Sequence, residues 1–424
     1  MLLPRYESYK DSGVEWLGEI PEEWSLWKGF QIFKENKEKN RGMVENTVLS
    51  LSHGRIVVKP EEKIHGLVPE SFEGYQIIEP TDTIIRTTDL QNDQTSLRCG
   101  YANDHGIITS AYLSLKSLGT AKPKFIYYAL HSYDLLKVFY SMGSGLRQNL
   151  DFTDFKRILV PIPSANTQKR IVSFLDQKTA EIDEAITKKK ALIKLLQEQK
   201  SILINQAVTK GLNHGVSKKN SGIEWVGDIP THWELQKAKY LFDKTQHLVH
   251  DNDGIVTAFR DGQVTLRTNR RTGGFTIALQ EKGYQGVKTG QLVVNSMDAF
   301  AGAIGISDSD GKCSPEYVVF DAKQPSETFL PFYAYLLRNM AEKGYIQAIC
   351  PAVRQRALRF RYPNLAPVLL PTPKINEQKQ IVEVIEKTKS THLKATNRLS
   401  TQINLLNEFK QSLISSVVTG KIKV

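Results

Sequence analysis

The chain has 424 residues, 40% apolar and 24% charged, a globular composition long enough for roughly two to four domains. No run of about 18 apolar residues occurs, so a membrane-spanning helix is excluded, and Cys99, Cys313 and Cys350 lie too far apart for a disulfide framework or a four-thiolate zinc site. With 56 Lys and Arg against 45 Asp and Glu the net charge is +11, which favours a polyanionic partner, nucleic acid foremost.

The first residues carry Arg5, Glu7, Lys10 and Asp11 and no apolar signal segment, so secretion is not expected and a reducing cytoplasm is. Residues 12–33 then read SGVEWLGEIPEEWSLWKGFQIF, and residues 221–242 read SGIEWVGDIPTHWELQKAKYLF. Two further echoes keep the same spacing of about 210 residues. Pro161-Ile-Pro163 with Gln168-Lys169 returns as Pro371-Thr-Pro373 with Gln378-Lys379, and Ala207-Val208-Thr209 returns as Val417-Val418-Thr419. Such a period is too long for a solenoid and means two copies of a domain plus its connector. The paired tryptophans Trp16/Trp225 and Trp24/Trp233 sit in this shared frame, so packing is expected of them rather than base stacking.

Each copy opens with short apolar runs between turn formers: 56–58, 84–85 and 107–108 in the first, 291–294 and 317–320 in the second. These read as strands of an α+β fold with β-rich cores, with short helices near 123–138 and 329–339. Weak anchors link the divergent parts: Asp82-Thr-Ile-Ile-Arg86 with Gln291-Leu-Val-Val-Asn295, Ser110-Ala-Tyr112 with Pro315-Glu-Tyr317, and Arg147-Gln148 with Arg354-Gln355.

Behind each Pro-x-Pro an alternating three–four spacing marks a long helix. Its apolar seam is Val172, Leu175, Ile182, Ile186, Ile193, Leu196 and Leu203 in the first copy. In the second it is Val382, Ile385, Leu399, Ile403, Leu406 and Leu413. Lysines 189, 200, 389 and 410 interrupt the two seams. Two equal seams in one chain predict an antiparallel coiled coil between them, in place of each helix folding onto its own domain. Roughly 42 residues at about 1.5 Å each give a bar of about 60 Å, with a pseudo-twofold relating the copies. Asn166 and Asn376 are the expected N-caps, Gly211 and Gly420 the expected C-caps. The predicted domains are therefore 1–160, 161–212, 213–370 and 371–424, two β-rich domains each followed by a helical region.

No phosphate loop, GxGxxG, amino-methyltransferase motif or nucleophile motif is present. Gly302-Ala-Ile-Gly305 reads as a turn, and His247 and His250 lack a third ligand. Glu35-Asn-Lys37 and Asp176-Gln-Lys178 match only the tail of a nuclease signature, the second inside a helix. What is present suits duplex DNA, since arginine reads guanine edges, Asn and Gln read adenine, and all of them serve phosphates. The DNA-binding candidates of the first copy are Lys37, Lys39, Arg41, Arg55, Arg86, Arg98, Arg147, Gln148 and Asn149. Those of the second are Arg267, Asn269, Arg270, Arg271, Asn295, Arg354, Gln355, Arg356 and Arg359. Gly143 and Gly145 would let backbone approach a phosphate.

The openings SGVEWLGEIPEEW and SGIEWVGDIPTHW, with PIPSANTQKRIVSFLD and PTPKINEQKQIVEVIE leading into the helices, resemble the specificity subunits of type I restriction-modification systems over essentially the whole chain. Lys169, Lys379, Ala165 and Asn166 depart from residues common at those places in the family. The resemblance implies two target recognition domains, each reading half of a split, asymmetric DNA site through the major groove, and an antiparallel helix pair that sets the spacer. It implies two modification subunits that methylate adenine N6, and two restriction subunits that translocate and cut. S-adenosylmethionine, ATP and Mg²⁺ are expected in those partners and no cofactor or metal in this chain, which is not itself an enzyme. The competing readings are a single-chain DNA-modifying enzyme and a coiled-coil adaptor without DNA.

Overall fold

The computed structural model describes residues 4–60, 62, 71–142, 149–213, 215–270, 282–350 and 359–424. It divides into two compact units, Met1–Lys190 with Ser400–Val424, and Ala191–Leu399.

The first unit opens with the hairpin β1 (Tyr9–Asp11) and β2 (Glu19–Pro21). The repeated Ser-Gly of the motif forms its loop. Asp11 accepts from the Gly13 N–H, Ser12 Oγ accepts from the Val14 N–H, and Gly13 takes a positive φ of 66°. Next come β3 (Ser25–Lys28), β4 (Phe33–Glu35), the hairpin β5 (Leu49–Ser52) and β6 (Arg55–Val58), then β7 (Gln76–Ile78), β8 (Thr83–Arg86), β9 (Cys99–Tyr101), β10 (Gly106–Ile108) and β11 (Tyr112–Ser117). Helices α1 (Pro123–Leu135) and α2 (Phe152–Phe155) precede β12 (Leu159–Ile162) and the long α3 (Ala165–Lys210). The central sheet is antiparallel, in the order β4-β11-β8-β9. Helix α1 packs on β8, β9 and β11, while Leu49 and Ile56 of the β5–β6 hairpin join Ile84 in a second buried cluster. Neighbouring Ile84 and Ile85 are thus both buried, which is why β8 reads as a continuous apolar run instead of an alternation.

The second unit repeats this plan. Strands β13 (Lys218–Asn220) and β14 (Asp228–Pro230) form its opening hairpin, where Asn220 and Ser221 accept from the Gly222 and Ile223 N–H groups. Then follow β15 (Glu234–Lys237), α4 (Ala238–Leu241), β16 (Phe242–Thr245), the hairpin β17 (Val256–Ala258) and β18 (Val264–Leu266), β19 (Gln285–Val287), β20 (Leu292–Asn295), β21 (Ile304–Ile306), β22 (Gly311–Cys313) and β23 (Tyr317–Ala322). Helices α5 (Leu330–Glu342), α6 (Tyr345–Ile349) and α7 (Tyr362–Leu365), β24 (Leu369–Thr372) and α8 (Ile375–Val418) complete it. Its sheet runs β16-β23-β20-β21. Leu292 and Val294 share a core with α5, whereas Val293 between them packs with Val256 and Val264 of the hairpin.

The echoes have structural reasons. Each Pro-x-Pro is a strand: β12 pairs with β3, and β24 with β15, closing each unit against its own opening. The glutamine that follows ties helix to domain. Gln378, fully buried, accepts from the Phe329 N–H and donates to the Glu327 and Pro373 carbonyls, each at 2.8 Å. Gln168 accepts from the Lys122 N–H at 2.8 Å and donates to the Pro163 carbonyl at 2.9 Å. The glycine ending each helix meets a tryptophan of the other copy. A Cβ at Gly420 would lie 2.3 Å from Pro21 and 3.3 Å from Trp24, and one at Gly211 would lie 3.3 Å from Trp233. Both glycines hold positive φ, 78° and 71°.

In both units α3 and α8 pack together, antiparallel. In the first, Lys410 of α8 donates to Asp183 of α3 at 2.8 Å and Lys189 donates to Gln402 at 2.8 Å, so rising numbers meet falling ones. Ile182, Ile186, Ile403 and Leu413 are buried there. In the second unit His392 meets Gln199 at 3.3 Å, and Ala207 and Val208 join Ile381, Val382 and Ile385 in one core. Ile193, Leu196, Leu399 and Leu406 are half-buried, as is Val172, beside which Ile171 is fully buried.

Leu203 departs from the seam: it is 41% exposed, and Ile204 packs in its stead. A 3.6-residue helix drifts by about 20° per heptad against a strict seven-residue count, enough to shift the inward position by one over this length. The expected N-caps also move. The helices begin at Ala165 and Ile375, so Asn166 and Asn376 lie inside the first turn. Ser164 caps α3, its Oγ accepting from the Thr167 N–H.

Candidate nucleic-acid interface

The anchors between the divergent parts are cross-strand neighbours. Arg86 ends β8 and pairs with Tyr112; Asn295 ends β20 and pairs with Tyr317. Beside each strand end lies the tip of the covering hairpin, and between the two opens a cleft. In the first unit Ser52, His53, Arg86, Thr95 and Ser96 line a cavity of about 480 Å³. In the second, Arg260, Asp261, Arg267, Arg270, Asn295 and Asp298 are among the residues lining one of about 870 Å³. One place in the fold is therefore furnished with unlike side chains in the two copies.

In the second cleft Arg270 forms a two-pronged pair with Asp261, at 3.0 and 2.6 Å, and lies 4.1 Å above the Phe259 ring. Arg260 donates to Asp298 at 2.9 Å. Asn295 donates to the Tyr317 hydroxyl at 3.3 Å and accepts from the Met297 N–H. Burial pushes the Tyr317 phenol up to about 12, so it stays protonated. Arg267 is half-buried with its Nε 3.5 Å from Thr257, Asn269 donates to Thr265, and Arg359 pairs with Glu316 at 2.9 Å. Desolvation would raise the Asp261 carboxyl, but hydrogen bonds from Arg270 and the Gln263 N–H prevail and hold it below its ordinary value.

In the first unit Arg86 donates to Asp93 at 3.0 Å. Hydrogen bonds from Ser96, first, and Thr95 hold that carboxyl well below the usual range. Lys37 pairs with Glu35, Lys39 donates to Ser110, Arg41 is exposed, and exposed Asn149 accepts from the Asp89 N–H.

Two candidates serve the protein's own structure. Arg98 is fully buried, its guanidinium spent on the Thr88, Asp89 and Asp93 carbonyls and the Tyr140 hydroxyl. It cannot reach DNA, and it shapes the loop that carries Asp93. Arg55 pairs with Asp183 of α3, which also takes Lys410, so the β5–β6 hairpin is braced on the helices of its unit. Arg147, Gln148, Arg271, Arg354, Gln355 and Arg356, with Gly143 and Gly145, lie outside the described residues.

The sequence reading missed Arg260, Asp261, Asp298 and Asp93. The Asp261-Gly262 pair between two strands was a hairpin signal that could have placed the first two at a tip.

The nuclease-like tripeptides dissolve into local contacts. Glu35 pairs with Lys37, and Asp176 holds Tyr128 at 2.7 Å and Lys124 at 2.9 Å, fastening α1 to α3. His247 faces Gln291, while the His250 N–H donates to Asp253. Among the described residues no group of three His, Cys, Asp or Glu could hold a metal, and no helix is long and apolar enough to cross a membrane. The tryptophans pack as expected: Trp24 and Trp233 are buried, Trp225 lies 5.9 Å from Tyr345, and half-exposed Trp16 edges onto Tyr133.

A family profile described as "Type I restriction modification DNA specificity domain" matches residues 99–195. The chain is 22% identical over 325 residues to the type I restriction enzyme EcoBI specificity subunit of Escherichia coli, covering 70% of this chain. The alignment spans 65% of that relative's length, just under two thirds. Among solved structures, a chain from a study of complex assembly and conformational transition of the type I R-M system superposes with a TM-score of 0.63 at 14% identity, covering 94% of this chain and 98% of that one. The HsdS subunit of Thermoanaerobacter tengcongensis gives a TM-score of 0.52 at 12% identity, covering 95% and 98%. These likenesses show a shared α+β fold with paired long helices. Profile, relative and fold agree with the duplicated motifs in their likeness to the specificity subunits of type I restriction-modification systems.

Proposed function

We propose that this chain selects DNA sequence for a type I restriction-modification complex and leaves the chemistry to its partners. Each β-rich unit reads one half of a bipartite site through the major groove, and the paired helices fix the unread gap. The observation that carries this is the pair of equivalent clefts with unlike contents, Arg86 ending one strand and Asn295 the other. Identical heads would select a palindrome, while unlike heads select a lopsided site. Guanidinium and amide side chains match guanine and adenine edges respectively. The net charge of +11 supplies the sequence-independent attraction.

Two modification subunits dock on the helical regions, where Leu192, Leu195, Leu393, Leu405 and Phe409 leave apolar surface uncovered by this chain. They bring S-adenosylmethionine and methylate adenine N6. Two restriction subunits add ATP- and Mg²⁺-dependent translocation and cleavage. The assembly works in the cytoplasm on chromosomal DNA. Single-molecule methylation profiling of a methylation-free host expressing this chain with its modification subunit tests the reading. A two-part, non-palindromic motif is expected; a palindromic motif, or none, overturns it.

A further inference from the structure

Three arginines of the two clefts share one feature: Arg86, Arg260 and Arg270 are each held by a carboxylate. Arg86 has Asp93 at 3.0 Å, Arg260 has Asp298 at 2.9 Å, and Arg270 has both oxygens of Asp261. The carboxylates of two of these pairs are themselves fixed. Asp93 accepts from the Ser96 N–H at 3.0 Å and the Thr95 N–H at 3.3 Å, in the loop that buried Arg98 ties down. Asp261 accepts from the Gln263 N–H at 3.2 Å, and the tip around it is tightly packed. Gly262 has a φ of 89°, and a Cβ there would lie 2.2 Å from Arg338.

A guanidinium carrying a fixed carboxylate has little net charge to offer a phosphate, and an approaching phosphate meets that carboxylate as a like charge. Its other N–H groups stay available, since five donors are present and the two-pronged pair spends two. An uncharged base edge can use those donors without displacing the carboxylate. The clamp therefore weakens capture of any phosphate and spares recognition of the correct base.

We propose that Asp261 and Asp298 in the second cleft, and Asp93 in the first, are specificity-determining residues that suppress sequence-independent DNA binding by clamping the cleft arginines. This inference rests on the reading of the clefts as DNA-contacting. Complexes of the full chain with its modification subunit would carry Asp261→Asn or Asp298→Asn, and binding to a random-sequence duplex would be followed by fluorescence anisotropy across a salt series. Each variant is expected to bind the random duplex about 3- to 10-fold more tightly at low salt, with the log–log salt slope steeper by about 0.9 for each arginine released. Methylation profiling should show a more degenerate motif in the matching half only. The double variant Asp261→Asn with Arg270→Gln should lose the gain, which a purely structural role for Asp261 does not predict. If Asp261→Asn fails to fold, Asp298→Asn carries the same expectation through Arg260. Unchanged or weaker random-duplex binding by folded variants, with wild-type motif and binding intact, overturns the clamp alone. A wild-type complex that neither holds DNA nor writes a two-part motif overturns the clamp together with the reading beneath it.

Discussion

Replacing Gln378 by alanine tests whether the repeated glutamine is a structural rivet. Its side chain is closed to solvent and makes three hydrogen bonds of 2.8 Å, one accepted from Phe329 and two donated to Glu327 and Pro373. Truncation leaves the half-buried Phe329 N–H, the Glu327 carbonyl and the buried Pro373 carbonyl without these partners. A net bond contributes about 1 kcal/mol, and an unmet buried group costs about 1–3 kcal/mol, so the substitution should cost about 2–4 kcal/mol. In a unit of this size that lowers the melting midpoint by roughly 5–12 °C. Gln168, with two such bonds, should cost less, about 1–3 kcal/mol. Urea and thermal unfolding of both variants, in the same assembly as the wild type, would measure the order. A Gln378→Ala chain within about 0.5 kcal/mol of wild type would refute the reasoning.

Gly420→Ala forces a left-handed residue and sets a Cβ 2.3 Å from Pro21, so it should cost about 2–3 kcal/mol in thermal unfolding. Gly211→Ala, with its nearest neighbour at 3.2 Å, should cost only about 1–2 kcal/mol. Burial, aided by Lys410, lowers His131 from 6.5 to about 4. The unfolded chain thus binds a proton that the folded one refuses, and stability falls as pH drops from about 6.5 to about 4. Replacing His131 with a neutral residue should flatten that part of the pH–stability curve. Removing one heptad from residues 186–203 of α3, with a matching one from α8, shortens the bar by about 10 Å. Methylation profiling should then show the gap about three base pairs shorter with both half-sequences unchanged, or no modification at all.

Much of the frame is legible in the sequence because duplication repeats contacts along with residues. Ser-Gly loops, Pro-x-Pro strands, buried tryptophans and helix-ending glycines recur as local or paired contacts, and identity between copies exposes them. The apolar runs at 84–85 and 291–294 were readable as strands because both faces of the sheet are covered. What stayed hidden depends on tertiary partners. Nothing near Arg98 in the chain announces that Tyr140 and four carbonyls enclose it. The Asp298–Arg260 pair forms only once hairpin and strand end meet, and the Asp261–Arg270 pair only once the turn after β18 folds back on the hairpin tip. Leu203 failed because a seven-residue count was extended along a helix of 3.6 residues per turn, and Asn166 because the helix starts, and its Ser164 cap lies, two residues earlier than expected.

The central claim is that two separable heads on one helical bar each choose half of a DNA site. Exchanging residues 243–360 for those of another specificity subunit, and profiling adenine methylation in a host with the modification partner, tests it most directly. One half of the motif should change while the other half and the gap stay as they were. Simultaneous change of both halves would contradict the account.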